Sequence, residues 1–408
     1  MRVLVVGAGL AGLVAAVKIQ RAGHEVVILE ARDRAGGRVL TVRDGFRSGQ
    51  FADLGAEIIY PGQHLIAKLC ESFELELSQQ FQLGGVLPTV VFDGSRLPPG
   101  QVREITDELR DRVREIAPQP FETVAQWLRR ARVSSAVERL LTAIAQSTPA
   151  APLRRADAEE LNPQLSWGEG YRKIKGGNDR LPLAIATQVD VRLRQPVRVI
   201  GWDGSGVTVE TDRETFPGDL AIVTVPGPLV SELGFEPPLP EAKVRALLEL
   251  QYGTAARLIV QYADRPPIRD AVGTGCFTDR LPGFVMEQSI HQEGDEIVLS
   301  GLAAGDAEPG LESEAGALDR FDETISSVVG RPVRRLHGAI KSWTRDPWSR
   351  CVVRAPIGSQ REDVLPAIAA PVSGRLFFAG EHTDPRVGPG GMEGAIRSGY
   401  RVAREVLA

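Results

Sequence analysis

The feature that most constrains this chain lies at its start, where Val3-Leu4-Val5-Val6 runs straight into Gly7-Ala8-Gly9-Leu10-Ala11-Gly12. A second apolar run follows a helical pattern and ends at Leu29 in the acid Glu30. This order predicts a strand, a helix and a strand built to hold a dinucleotide. Gly7 allows the tight turn, Gly9 lets the backbone approach a pyrophosphate, and Gly12 lets the helix pack on the strand. Leu10 and Ala11 open the helix, whose first N–H groups and partial positive charge face the phosphates. Glu30, with Ala31 beside it, is placed to accept from ribose hydroxyls and to repel a 2′-phosphate. A glycine turn without a ligand is the alternative; the flanking strand, the helix and an acid about 20 residues on argue against it.

Arg32, Arg34 and Arg38 gather around Gly36-Gly37. Their planar forks suit phosphate oxygens, so a second set of donors is expected around the pyrophosphate. Alone, they would read as a solvated loop. The stretch Leu29-Glu30-Ala31-Arg32-Asp33-Arg34 through Gly36-Gly37-Arg38 resembles the N-terminal signature of the flavin-containing amine oxidase (monoamine oxidase-like) superfamily. The resemblance implies that the dinucleotide is FAD.

At 408 residues the chain is long enough for two domains, and 43% apolar with 25% charged residues is ordinary for a globular protein. A net charge of −5 argues against nucleic acid and anionic membranes as partners. Cys70, Cys276 and Cys351 are odd in number and far apart, which predicts free thiols in a reducing compartment. The first strand begins at Arg2, so no secretory leader is expected, and no apolar run reaches the ~20 residues of a membrane span. A cytoplasmic protein is expected, with a homodimer left open. The five histidines show no metal-ligand spacing, so no metal site is expected.

The expected fold is α/β: a Rossmann-like FAD-binding domain of residues 1–59, 166–235 and 343–408, and a discontinuous α+β substrate domain of 60–165 and 236–342. On the cofactor side, Val197–Ile200 and Val207–Glu210 alternate as a hairpin around Asp203-Gly204, and Ala221–Val225 reads as a buried strand stopped by Pro226. Arg375–Ala379 reads as another strand, followed by a glycine-rich loop at Gly388–Gly391 and a helix near Met392. Arg401–Ala408 reads as a short polar helix. In the insertions, Val102, Ile105, Leu109, Val113 and Ile116 recur at helical spacing, as do Leu140, Leu141 and Ile144. Arg257–Gln261 and Ile297–Leu302 read as strands, and Pro98-Pro99 and Pro237–Pro240 as turns or linkers.

The resemblance extends along almost the full chain. It implies that Gly55-Ala56-Glu57 passes beneath the flavin, that the Val197 backbone reads the adenine, and that Trp343 lies against the isoalloxazine. It also implies that Gly380-Glu381 and Gly391-Met392, with Ala395, close the site, Glu381 reaching the ribityl chain and the Met392 N–H the flavin pyrimidine. A helix starting there would favour an anionic reduced flavin by ~0.3–2 kcal/mol. Departures from the family are equally informative. Arg257 stands where the family keeps a lysine that holds water at flavin N5. It is expected either to hold a water, an anionic group or the reduced flavin, or to be a strand-edge surface residue. The two aromatic positions of the amine cage fall near Val353 and Gly391. The arginine that grips the carboxylate in many amino-acid oxidases is missing from Glu57-Ile58-Ile59. Cys351 falls one residue before a site of covalent flavin attachment, and an inert buried thiol with non-covalent FAD is expected. His382 is expected to pack or to face solvent rather than act as a general base.

Glu57 and Arg257 are the catalytic candidates. An alkyl ammonium with pKa near ~10.4 must lose its proton before oxidation, at a cost of roughly 4.6 kcal/mol at pH 7. An ionised carboxylate ~4 Å away favours the ammonium by up to ~4 kcal/mol. Glu57 therefore helps only as a proton acceptor, or with an uncharged substrate; the alternative is a structural bond to backbone beneath the ribityl chain. The expected reaction is oxidation of a C–N bond of a small amine by hydride transfer to flavin N5, with O₂ as acceptor and peroxide as product. Desaturation or isomerisation at a C–C bond, including protoporphyrinogen-type oxidation, is the alternative.

Overall fold

In the computed structural model, β1 (Arg2–Val6), α1 (Leu10–Arg21) and β2 (Glu25–Leu29) form the expected opening unit. The structure describes residues 1–81, 88–145, 150–161, 171–273, 275–305, 313–354, 364–385 and 390–408. β1 is buried along Val3–Val6 and lies parallel to β2 on one side and to Leu220–Val223 on the other. The full sheet is five-stranded and adds Asp190–Arg192 and Leu376–Phe378 at its edges. Strands buried on both faces are expected to be continuously apolar, as Val3–Val6, Val26–Leu29 and Leu220–Val223 are, whereas the edge strand Asp190–Arg192 is mostly polar and exposed.

The hairpin forms with Val197–Trp202 antiparallel to Val207–Thr211, and the Asp203 side chain accepts from the Ser205 N–H at 2.7 Å to hold the turn. The register slips between Val197 and Val199. The C-terminal helix, Gly391–Leu407, packs along α1, where a side chain at Gly399 would overlap the Ala11 carbonyl. Arg401–Ala408 is thus not a short polar helix. It is the end of a 17-residue amphipathic one that buries Val402, Ala403 and Val406. The prolines also do more than link: Pro99 opens Pro99–Glu115 and Pro240 precedes Glu241–Glu249, both positions where a missing N–H costs no bond.

A second, seven-stranded sheet contains Ala255–Tyr262 between Ile297–Ala304 and Arg335–Ser342. It continues through Phe284–Glu287 and Cys276–Thr278 to Thr89–Phe92. The helices Pro99–Glu115, Val124–Ala131 and Ser135–Ala145 bury the predicted stripes against Val90, Phe92 and Phe277. Glu241–Glu249, inside the second expected insertion, packs with Val364–Ala369 on the core shared by the five-stranded sheet. The notional boundary near residue 166 and part of the Gly388–Gly391 loop lie outside the described residues.

Candidate active site

A single cavity of about 1360 Å³ runs from the Gly7 turn to the seven-stranded sheet. Its wall includes Gly7, Gly9, Leu10, Ala11, Glu30, Ala31, Arg32, Gly37 and Arg38 from the first motif. Gly55, Ala56, Glu57, Val197, Arg257 and Trp343 line it further along, as do Gly380, Glu381, Gly391, Met392 and Ala395. Gly12 does not line it; a Cβ there would overlap the Gly7 carbonyl oxygen, so Gly12 shapes the turn from behind.

The turn itself is bare. Gly7 has φ +106°, which favours glycine, and a Cβ built on Gly9 meets nothing within 4 Å. Among the described residues no side chain caps the N-terminus of α1, and no acid stands in its first turn. An uncapped helix end facing open space beside a buried acid fits the diphosphate and ribose of a dinucleotide. Glu30 is held over the turn by N–H donors from Ala8 (2.7 Å) and Arg32 (2.9 Å).

The arginines divide their work differently from the expectation of a joint phosphate clamp. Arg34 does not line the cavity: its guanidinium donates to the carbonyls of Ala35, Gly37 and Val39 and braces the Gly36-Gly37 loop. Arg32 reaches the cavity wall but forms a fork with Asp346 at 2.6 and 2.9 Å and donates to Ser349. Burial opposes ionisation of Asp346, yet Arg32 and Lys341 hold its carboxyl well below the usual range. Arg38 donates to Glu381 (2.9 Å) and the Val352 carbonyl (2.8 Å). Against the effect of burial, Arg38 and the Arg354 N–H keep Glu381 low as well.

Glu57 is 3% exposed and its carboxylate is fully engaged. Lys173 Nζ donates to Oε1 at 2.9 Å, Arg257 Nη1 to Oε2, and the Ser300 hydroxyl lies 3.3 Å away. Burial works against the anion, but Lys173 and Arg257 outweigh it and hold Glu57 below the ordinary carboxylate range. A carboxylate so held is a poor proton acceptor at neutral pH. Its partners are also not the backbone N–H groups of the structural alternative. Instead, the backbone there is tied by Asn178, whose amide donates to the carbonyls of Ala56 (2.9 Å) and Glu57 (2.8 Å).

Lys173 was not a sequence candidate, and it is the centre of the network. It is 5% exposed, on Tyr171–Ile174, and also donates to Gln288 (3.0 Å) and lies 3.6 Å from Asp53. Burial pushes the Asp53 carboxyl up, against the pull of Lys173, Thr41 and Asn178. A lysine inside a short strand has no sequence signal for burial; only its partners, far along the chain, make it tolerable.

Arg257 is no surface residue, since it lines the cavity and pairs with Glu57. Trp343 is fixed by donating its indole N–H to the Leu54 carbonyl at 2.9 Å. Val353 and Gly391 both face the cavity, so those two cage positions carry no ring. Cys351 is fully buried beside Arg38, with its thiol pushed up to about 12 by burial, and does not line the cavity. His382 packs behind Glu381; burial pushes it down to about 4 and keeps it neutral. Among the described residues no cluster of three or more metal-ligating side chains exists, and no helix is long and apolar enough to cross a membrane.

The sequence matches the model of the family described as flavin containing amine oxidoreductase over residues 10–407. A mouse (Mus musculus) L-amino-acid oxidase is 30% identical over 98% of this chain and 70% of its own length. Lysine-specific histone demethylase 1 homolog 2 of rice (Oryza sativa subsp. japonica) is also 30% identical, over 99% of this chain and 57% of its own. In fold the chain is similar to putrescine oxidase bound to putrescine, with a TM-score of 0.81, 21% identity and coverage of 100% and 99% of the two chains. It is equally similar to cyclohexylamine oxidase from Brevibacterium oxydans, with a TM-score of 0.84, 21% identity and coverage of 99% and 98%. Joined to a cavity that fits a dinucleotide and opens onto a second sheet, these likenesses mean that the chain belongs to the flavin-containing amine oxidoreductase family, with FAD as its cofactor.

Proposed function

We propose that this protein oxidises the C–N bond of a small amine, using FAD bound along the glycine-turn half of the cavity and O₂ as the final acceptor. The observation that carries the reading is the continuity of the cavity from Gly9 and Glu30 to Glu57 and Arg257. Bound FAD supplies the two-electron acceptor for the substrate's C–N bond, and O₂ restores it with release of peroxide. The chain supplies binding, orientation and a dry site.

In this reading the bare N-terminus of α1, with Gly7, Gly9, Leu10 and Ala11, holds the diphosphate, and Glu30 the ribose. Arg32, Gly37 and Arg38 flank the diphosphate; Val197 meets the adenine. Gly55, Ala56, Trp343, Glu381 and the helix start at Gly391-Met392, with Ala395, enclose the flavin. Held without a covalent link, FAD is released intact on denaturation, which suits the burial of Cys351. Glu57 fixes Arg257 at the reacting end. The two sheets support the discontinuous division into cofactor and substrate domains, although Glu241–Glu249 packs on the cofactor side. Three free, buried cysteines support a cytoplasmic, reducing location.

The amine's proton is not taken by Glu57, whose two oxygens are already bonded by Lys173 and Arg257 and whose carboxyl they hold below the ordinary range. The substrate must therefore react as the free amine, delivered neutral or deprotonated to solvent. Oxygen uptake by the holoenzyme across a panel of amines, amino acids and polyamines tests the function. One peroxide per amine oxidised is expected; substrate turnover without oxygen uptake would instead indicate C–C chemistry. Glu57→Gln is expected to cut turnover more than FAD content, and loss of FAD in step with activity would leave Glu57 a structural residue.

A further inference from the structure

Glu393 stands one residue beyond Met392, in the first turn of the C-terminal helix, yet it does not line the cavity. Its carboxylate, 6% exposed, crosses instead to the helix His64–Ser72, where it accepts from the N–H groups of Leu65 (3.0 Å) and Ile66 (2.9 Å). Arg397, one turn further along the C-terminal helix, lies 3.7 Å from the same carboxylate. Among the described residues neither helix is capped by its own leading residue. No side-chain bond comes from Gln63 at the start of the first or from Gly390 at the start of the second. The first N–H groups of a helix have no partner within it, and a carboxylate suits both their bonding and their partial positive charge. Glu393 therefore joins two helix ends, and its place depends on the first turn of the helix that carries it.

The residues just before His64 form part of the cavity wall. Pro61 followed by Gly62 at φ +81° is what a type II turn requires, and the Gln63 N–H closes it on the Tyr60 carbonyl at 3.2 Å. The Gln63 side chain accepts from the Tyr60 N–H at 3.0 Å, and Tyr60, Pro61 and Gln63 all line the cavity. This turn hangs between two anchors. At one end Ile59 exchanges backbone bonds with Arg172, beside Lys173, at 2.9 and 3.0 Å. At the other, Glu393 ties the start of His64–Ser72 to a helix whose own start, Gly391-Met392, lines the same cavity. Helix termini fray at the least free energy, so a cofactor packed on Gly391 and Met392 would hold that first turn and the Glu393 carboxylate with it.

We propose that Glu393 is a positioning residue through which bound FAD closes the Tyr60–Gln63 turn, so that this stretch of the cavity wall is completed only once the cofactor is in place. This rests on FAD lying against Gly391 and Met392, and not on the identity of the substrate. Amide hydrogen exchange of the full chain, resolved by residue, is compared with and without FAD. In the wild type FAD is expected to slow exchange at least about fivefold at Leu65, Ile66 and Gly394, whose N–H bonds to the Gly390 carbonyl inside the helix. Glu393→Ala should keep the effect at Gly394 and reduce it to within about twofold at Leu65 and Ile66, with Ile59, held by Arg172, unresponsive. Glu393→Gln, with one oxygen left to accept, should keep the effect at one of the two amides. FAD affinity is expected to stay within about threefold of wild type in both variants, because rare opening of a mostly closed turn subtracts little from binding.

An FAD effect at Leu65 and Ile66 that survives Glu393→Ala, both rates rising by the same factor, overturns the proposal and leaves Glu393 a structural cap. A loss of FAD affinity beyond about tenfold also overturns it, since the action of Glu393 would then be on the cofactor. Slowing at Gly394 alone in the wild type overturns the coupling but keeps FAD at the helix start; no slowing at any of the three removes both. Should the chain without FAD lose its fold, the holoenzymes decide. Glu393→Ala must then exchange Leu65 and Ile66 at least about fivefold faster than wild type, with Ile59 and Gly394 unchanged and Glu393→Gln in between. Equal rates overturn the proposal.

Discussion

Glu57 and Lys173 carry the residue-scale argument. Removing one member of a buried ion pair leaves the other charge without compensation, typically at a cost of about 3–5 kcal/mol. Because Glu57 keeps Arg257 and Ser300, Lys173→Met is expected to lower stability by less than that, about 1.5–3 kcal/mol in urea unfolding, although Lys173 does not line the cavity. A loss below about 1 kcal/mol would mean that the network is not the scaffold described. The charge state sets a pH signature as well. A carboxylate held below its usual range is ionised throughout neutral pH, and its stabilising effect is lost only as pH falls through the folded value. The kcat/KM profile should therefore rise with pH along the substrate's own amine titration and move with it when a less basic amine is used. An ascending limb that stays fixed across substrates would assign the proton to a group on the enzyme. Glu57 and Arg257 were legible because each sits in a recognisable stretch of sequence. Lys173 and Ser300 were not, because their pairing with Glu57 spans 116 and 243 residues and depends on two sheets meeting.

Among elements, the turn between β1 and α1 separates shape from ligand binding. A methyl on Gly12 overlaps the Gly7 carbonyl, whereas one on Gly9 meets no atom of the described residues within 4 Å. Gly9→Ala is expected to keep its circular dichroism and Tm as apoprotein while binding FAD at least about tenfold more weakly; unchanged FAD affinity would remove the diphosphate from this turn. Gly12→Ala should lower apoprotein stability itself. Lys243, on Glu241–Glu249, donates to the Ala367 and Ile368 carbonyls, and burial pushes it down to about 7. A base depressed on folding binds its proton more tightly when unfolded, so stability should rise between about pH 7 and 10 by up to about 1.4 kcal/mol per unit. Urea unfolding at pH 7.5 and 9.5 checks this, since Lys243→Met should flatten that slope; parallel slopes would contradict it. Element types were legible from periodicity, including the Val197–Glu210 hairpin and the helix near Met392. The reach of the last helix was hidden because Arg401, Arg404 and Glu405 mask the buried stripe of Val402, Ala403 and Val406.

At the scale of the molecule, a parallel sheet drawn from distant parts of the chain and a largely antiparallel sheet enclose one cavity. The first sheet was readable from its glycine turn and apolar runs. The meeting of the Glu393 carboxylate with the Leu65 and Ile66 N–H groups was not, since packing between distant segments is a tertiary property that no local pattern encodes. The central claim is that a free amine delivers two electrons to FAD in this cavity. Anaerobic addition of amines to the yellow holoenzyme, with the flavin absorbance followed and air then admitted, tests it most directly. Bleaching by about one equivalent of amine per flavin, with full recovery of colour and release of peroxide in air, is the predicted result. Bound FAD that no amine, amino acid or polyamine bleaches would contradict it and turn the same cavity toward chemistry at a C–C bond.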